Sequence, residues 1–98
     1  MNNDDRIEII VVDVTGVQTS KELHLILKKK LSFPEFYGMN WNAFWDAITG
    51  LIEMPKKLVI HGWHSLYKSL PDDAKIMRKM LCEFNEEYPT WKCNVEYK

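Results

Sequence analysis

Glycine, cysteine and histidine are all scarce in this 98-residue chain, at four, two and three residues. The glycines (Gly16, Gly38, Gly50, Gly62) are too dispersed for a phosphate-cradling loop, and neither a GxGxxG run nor a Walker lysine occurs. There is no GxSxG nucleophile elbow. Cys82 and Cys93 are too few for a disulfide framework and read as reduced thiols of a cytoplasmic protein. Cys82 sits beside Glu83, a poor setting for a nucleophilic thiolate. Long apolar runs are missing as well: the acidic N-terminus leads into only a short one, residues 9–12, so neither a signal peptide nor a membrane span is expected. The net charge of −1 lacks the basicity of a nucleic-acid binder. One absence is local. Residues 31–55 hold no lysine or arginine, so all thirteen basic residues lie outside them.

What is present is ordinary in bulk. At 46% hydrophobic and 28% charged, the chain reads as one globular domain spanning residues 1–98. Residues 7–14 (IEIIVVDV) are β-branched and nearly all apolar, as in a strand buried on both faces. Thr19 and Glu22 have capping-box spacing, so Thr19 should accept from the Glu22 amide while Glu22 reaches back to the Thr19 amide. The helix that follows has Leu23, Ile26, Leu27 and Leu31 on one stripe and ends in Lys28, Lys29 and Lys30, the favourable sign for a C-terminus. Asn40 suits the N-cap of a second helix. Along it, Trp41, Phe44, Trp45, Ile48, Leu51 and Ile52 form an apolar stripe, while Asn42, Asp46, Thr49 and Glu53 form a polar face, with Pro55 ending the helix. Residues 57–61 (KLVIH) read as a second strand. Pro71 and Asp72 open a last helix with Met77, Met80, Leu81, Phe84 and Tyr88 inward, and residues 91–97 read as a third strand. The order β-α-α-β-α-β predicts an α/β fold, a three-stranded parallel sheet flanked by helices.

Catalytic chemistry is not expected. His61 and His64 could share a metal only with further ligands that the spacing does not supply, so they read as residues of a strand-to-helix loop. Asp46 and Glu53, two turns apart, would be separated by roughly 10 Å on one helix, too wide for paired acid–base work. No cofactor, metal or enzymatic activity follows from these residues. A binding surface does. Residues 31–55 contain six of the twelve aromatics and three acids, Glu35, Asp46 and Glu53, so they suit a basic protein partner. A solvated helix would show mixed signs and Glu–Lys pairs on its polar face. Two other readings remain: a non-inhibitory interaction module using the same surface, and a small nucleic-acid binder using Lys28–Lys30 with Lys56 and Lys57.

The run Phe33-Pro-Glu-Phe-Tyr-Gly38, then Asn40, then Asn42-Ala-Phe-Trp-Asp46, then Ile48-Thr-Gly50, then Glu53-Met-Pro55 resembles the hallmark of the barstar family, small intracellular inhibitors of secreted ribonucleases. The resemblance implies a three-stranded parallel fold and inhibition without chemistry. It implies a free monomer that plugs the basic active site of a barnase-type ribonuclease, or of a ribonuclease toxin to which it confers immunity, with an acidic helix and the loop before it. Asp46 matches the aspartate that takes the place of a substrate phosphate. Phe36 matches an aromatic contact in the loop. Gly38, Asn40, Trp41, Ala43, Trp45, Thr49 and Gly50 match interface positions, and Glu83 a further acidic contact. The chain departs from the family at Asn42, where a second aspartate is usual, at Met39 in place of an acid, and at Leu51 in place of an aromatic. Direct nucleic-acid or membrane binding is not implied.

Overall fold

Three short strands lie side by side in the order β1 (Ile9–Asp13), β2 (Lys57–His61), β3 (Asn94–Tyr97), all parallel, in the computed structural model, which describes residues 5–98. Residues 1–4, the acidic start read above as unlike a signal peptide, lie outside the described residues. Four helices complete the α/β fold: α1 (Ser20–Lys30), α2 (Trp41–Asp46), α3 (Trp63–Ser69) and α4 (Pro71–Glu87). Among the described residues no helix is long and apolar enough to cross a membrane.

Strand register explains which residues reach the core. Val12 pairs with Ile60 and Ile60 with Tyr97, so these side chains share the inner face. There Val12, Val14, Leu58 and Ile60 meet Leu23 and Leu27 of α1, Phe44 of α2, Leu66 of α3, and Met77 and Leu81 of α4. Each such side chain contributes about 1.5–3 kcal/mol by leaving water. The outer face is different. Val11, Val59 and Glu96 are aligned on it, and Ile9 and Val11 are 53% and 45% exposed. The expected burial of β1 on both faces is therefore corrected: β1 is an edge strand, and its outward side chains meet no helix. That face is closed off by charge, with Lys57 Nζ 2.8 Å and Lys98 Nζ 3.5 Å from the Glu96 carboxylate.

Three local features also depart from expectation. First, the Glu22 amide donates to Thr19 Oγ1 at 3.1 Å as expected, but Glu22 Oε1 reaches the Gln18 amide and the Thr19 hydroxyl rather than the Thr19 amide. Second, α3 was expected to be loop. Gly62, at φ +80°, turns the chain out of β2, and a Cβ there would overlap Thr15; the Trp63 amide and its own are satisfied by the Lys98 carbonyl. His61 ends β2 and His64 lies in the first turn of α3, both exposed. Third, β3 starts at Asn94, not residue 91. Residues Pro89–Trp91 form a 3-10 turn, and Asn85 clamps the backbone of Cys93 with bonds of 2.7 and 2.8 Å, setting where the strand begins.

Candidate partner-binding site

The segment joining α1 to α2 is held by its neighbours rather than by regular structure. The Phe33 amide donates to the Lys28 carbonyl and the Tyr37 amide to the Pro34 carbonyl, while Lys28 Nζ reaches the Glu35 carbonyl at 3.2 Å. Phe33 and Tyr37 turn inward, their ring centroids 4.6 Å apart, which leaves Phe36 outward and 74% exposed. Gly38 sits in close approach to α2: a Cβ there would lie 3.1 Å from that of Ala43. Met39 takes a left-handed backbone, φ +57°, a strained setting for a side-chain-bearing residue, and delivers the chain to Asn40. Asn40 then caps α2, its Oδ1 accepting from the Ala43 amide at 2.8 Å and its Nδ2 donating to the Gly38 carbonyl at 3.1 Å.

Beneath this loop lies a polar cluster. His24 is 1% exposed, with Nδ1 2.7 Å from the Tyr37 hydroxyl and its ring 4.5 Å from that of Trp41; its Nε2 is buried without a partner. Burial holds the His24 imidazole below its ordinary pKa, with Asp73 pulling the other way. Burial likewise pushes the Tyr37 phenol up. Trp41 Nε1 donates to Asp73 Oδ1 at 2.7 Å, so this indole, expected at the interface, is half-buried and tied to α4. His24 is absent from the stripe expected of α1, although its spacing to Leu27 and Leu31 is a signal that could have placed it there. Asp73, a contact across 32 residues, left no such signal.

α2 does not continue as a regular helix to Glu53, as expected. Residues Ala47–Leu51 wind as a π-helix, closed by the Ile52 amide on the Ala47 carbonyl at 3.1 Å, and Ile52 is already extended. Thr49 Oγ1 donates to the Trp45 carbonyl at 2.7 Å within this wider turn. Asn42 and Asp46 keep their helical spacing on one exposed face, whereas Glu53 lies past the helix end and Leu51 turns to solvent. Gly50 has open space where a Cβ would stand, so the fold itself does not require glycine there. Ala43 is half-buried beneath Gly38.

α4 completes the surface. Asn42, Trp45 and Asp46 from α2, with Met80 and Glu83 from α4, line an open notch of about 390 Å³. Among the described residues, the side chains of Asn42, Asp46, Glu53 and Glu83 form no hydrogen bond or ion pair. Of the cations at the ends of the 31–55 segment, Lys28 is engaged with Glu35 and Lys56 with Glu8 at 3.0 Å. Two carboxylates, Asp46 and Glu83, thus line the notch with a half-buried tryptophan and stand in no ion pair among the described residues. No group of three histidine, cysteine or acidic side chains among the described residues could hold a metal. Cys82 is exposed, and Cys93 is buried, its thiol pushed up to about 11 by burial. Met80 is an addition to the expected residues.

The family model described as "Barstar (barnase inhibitor)" matches residues 7–97. The chain belongs to that family. A Bacillus subtilis (strain 168) protein named "Putative ribonuclease inhibitor YrdF" is 33% identical over 78 residues, which is 80% of this chain and 86% of that protein. The barstar match covers every element from β1 to β3, so the loop, α2 and the notch all lie within it.

Proposed function

We propose that this protein is an intracellular inhibitor of a basic, barnase-type ribonuclease, or the immunity protein to a ribonuclease toxin, acting as a cytoplasmic monomer and a single domain. The observation that carries this is the carboxylate of Asp46 beside that of Glu83, neither in an ion pair among the described residues, in a notch lined by no lysine or arginine. Barstar-family membership and the ribonuclease-inhibitor name of the Bacillus relative support the same reading. A ribonuclease active site concentrates lysine and arginine to bind RNA phosphate, and Asp46 would occupy the phosphate's place. Charge-assisted bonds formed there, shielded from water by Trp45, Phe36 and Met80, are the strong class of interfacial contact. Asn40, Ala43, Thr49 and Gly50 would offer shape and backbone contacts around that centre, with Gly38 setting the loop. No catalysis is involved; substrate is excluded by occupancy.

Asn42 in place of the family's aspartate removes one charge-assisted pair, about 1–3 kcal/mol, so the cognate enzyme is expected to be less basic at that point or to donate a neutral hydrogen bond. Titration of a barnase-type ribonuclease with this protein at low and high salt tests the proposal. Stoichiometric inhibition that weakens as salt rises is the expected outcome. No inhibition by micromolar protein of either that enzyme or a cognate toxin would overturn it.

A further inference from the structure

A second hollow, of about 210 Å³, opens where the π-helical segment passes α4 and the turn after it. Its walls include Ile48, Ile52, Phe84 and the rings of Tyr88 and Trp91, and its only charged lining residue is Glu53. Phe84 and Tyr88 lie with centroids 5.4 Å apart, and Trp91 is 51% exposed. Glu53 is exposed and has no hydrogen bond or ion pair among the described residues. An apolar, aromatic chamber with a single carboxylate, in no ion pair among the described residues, is suited to a group with an apolar body and a cationic end. The stem lies along the aliphatic and aromatic walls, and the head meets the carboxylate and the ring faces. A neutral side chain would leave the carboxylate without a partner, and an anion would be repelled by it. Trp91 already takes a cation, the Arg6 guanidinium 5.9 Å from its ring centroid; Arg6 and Lys30 line not this hollow but an adjoining one that shares Ile52 and Glu53 with it.

We propose that this hollow receives a lysine or arginine side chain of the ribonuclease, as a second anchor separate from the Asp46 notch. The proposal rests on the inhibitory reading above and adds to it Phe84, Tyr88 and Trp91, which the resemblance does not assign. The π-helical winding is what makes the arrangement possible. It ends α2 early and places Glu53 on extended chain, alongside the end of α4 rather than in line with Asp46.

Two measurements test it. In inhibition titrations, Glu53→Gln, with its melting temperature unchanged, and Trp91→Ala should each raise the inhibition constant about tenfold or more, and Thr90→Ala, outside the hollow, should match the parent. If Asp46→Ala weakens inhibition while Glu53→Gln and Trp91→Ala do not, the second anchor is overturned and the inhibitory reading stands. The other measurement needs no ribonuclease. The ¹H–¹⁵N signal of the Trp91 indole is followed while the free protein is titrated with N-acetyl-lysine methylamide or its neutral norleucine analogue. A shift with the lysine compound alone, lost in Glu53→Gln, supports the proposal. No shift at tens of millimolar ligand, of the order of the weakest specific binding, or an equal shift with both compounds, overturns it whatever the inhibition assays show.

Discussion

The two sides of α2 are built from similar residue types and treated in opposite ways. On the inner side nearly every polar atom has a partner: Trp41 Nε1 on Asp73, the Tyr37 hydroxyl on His24, Asn40 on the backbone it caps. On the outer side Asn42, Asp46 and the facing Glu83 have none among the described residues. The outer face of the sheet supplies a control, because it is exposed and charged, yet Glu96 there is matched by both Lys57 and Lys98, and these cations hold its carboxyl below the usual range. Exposure alone therefore does not leave charges unmatched in this molecule. Asp46 and Glu83 at the notch, by contrast, stand in no ion pair among the described residues.

Substitutions on either side of α2 can break that contrast. The largest effect is expected from Asp46→Ala, which should weaken inhibition of the target ribonuclease a hundredfold or more, the range of an interfacial hot spot, while thermal unfolding shifts little. An equal loss in both measurements would place Asp46 on the structural side instead. Asn42→Asp sharpens the contrast in the other direction. Restoring a second carboxylate should tighten inhibition of a barnase-type enzyme by about 1–3 kcal/mol and steepen its salt dependence, as read by the inhibition constant at two ionic strengths.

On the inner side the sensitive variable is pH. His24 has its folded-state pKa below the ordinary value of 6.5 because burial disfavours the imidazolium. The unfolded chain therefore takes up the proton first. Stability from the neutral ring is fully present above pH 6.5 and is lost as the pH falls through 6.5 towards the folded value. Denaturant unfolding at neutral and mildly acidic pH should show this loss, and His24→Gln should flatten it. Other groups facing the ring are Asp73, which favours the charged form, and Tyr37, which stays neutral throughout this range. The smallest effect belongs to the sheet face. Lys57→Ala removes a surface pair and should cost about 1 kcal/mol or less, with inhibition unchanged.

Much of this was legible in the residues because local rules and tertiary structure agree. The strand patterns at residues 9–13 and 57–61, the Asn40 cap, Pro71 at the first position of α4 and the Phe44–Ile48 stripe each follow from short-range physics. The features that escaped depend on contacts distant in sequence. α3 is a helix because Gly62 packs on Thr15 and Lys98 receives its first amides. β1 is open on one side because no helix crosses that face, which no pattern within residues 7–14 encodes. The π-helical winding replaced a regular helix through the Thr49–Trp45 and Ile52–Ala47 bonds, and that alone moved Glu53 out of the expected polar face. Of the expected site residues, Asn42, Trp45, Asp46 and Glu83 converge on one notch; Glu53 belongs to another hollow, and Trp41 is anchored inward.

The left-handed Met39, the tight Gly38–Ala43 approach and the Asn40 cap leave the chain before α2 with few alternative conformations. A surface fixed in this way has little freedom left to lose when another molecule docks on it, so the loop-ordering part of the entropic penalty of association is small. Capture can then proceed as a single collision between rigid bodies, its speed governed by diffusion and long-range attraction and not by a folding step. For an inhibitor acting as proposed above, such a pre-shaped loop would shorten the time between meeting a nuclease and blocking it.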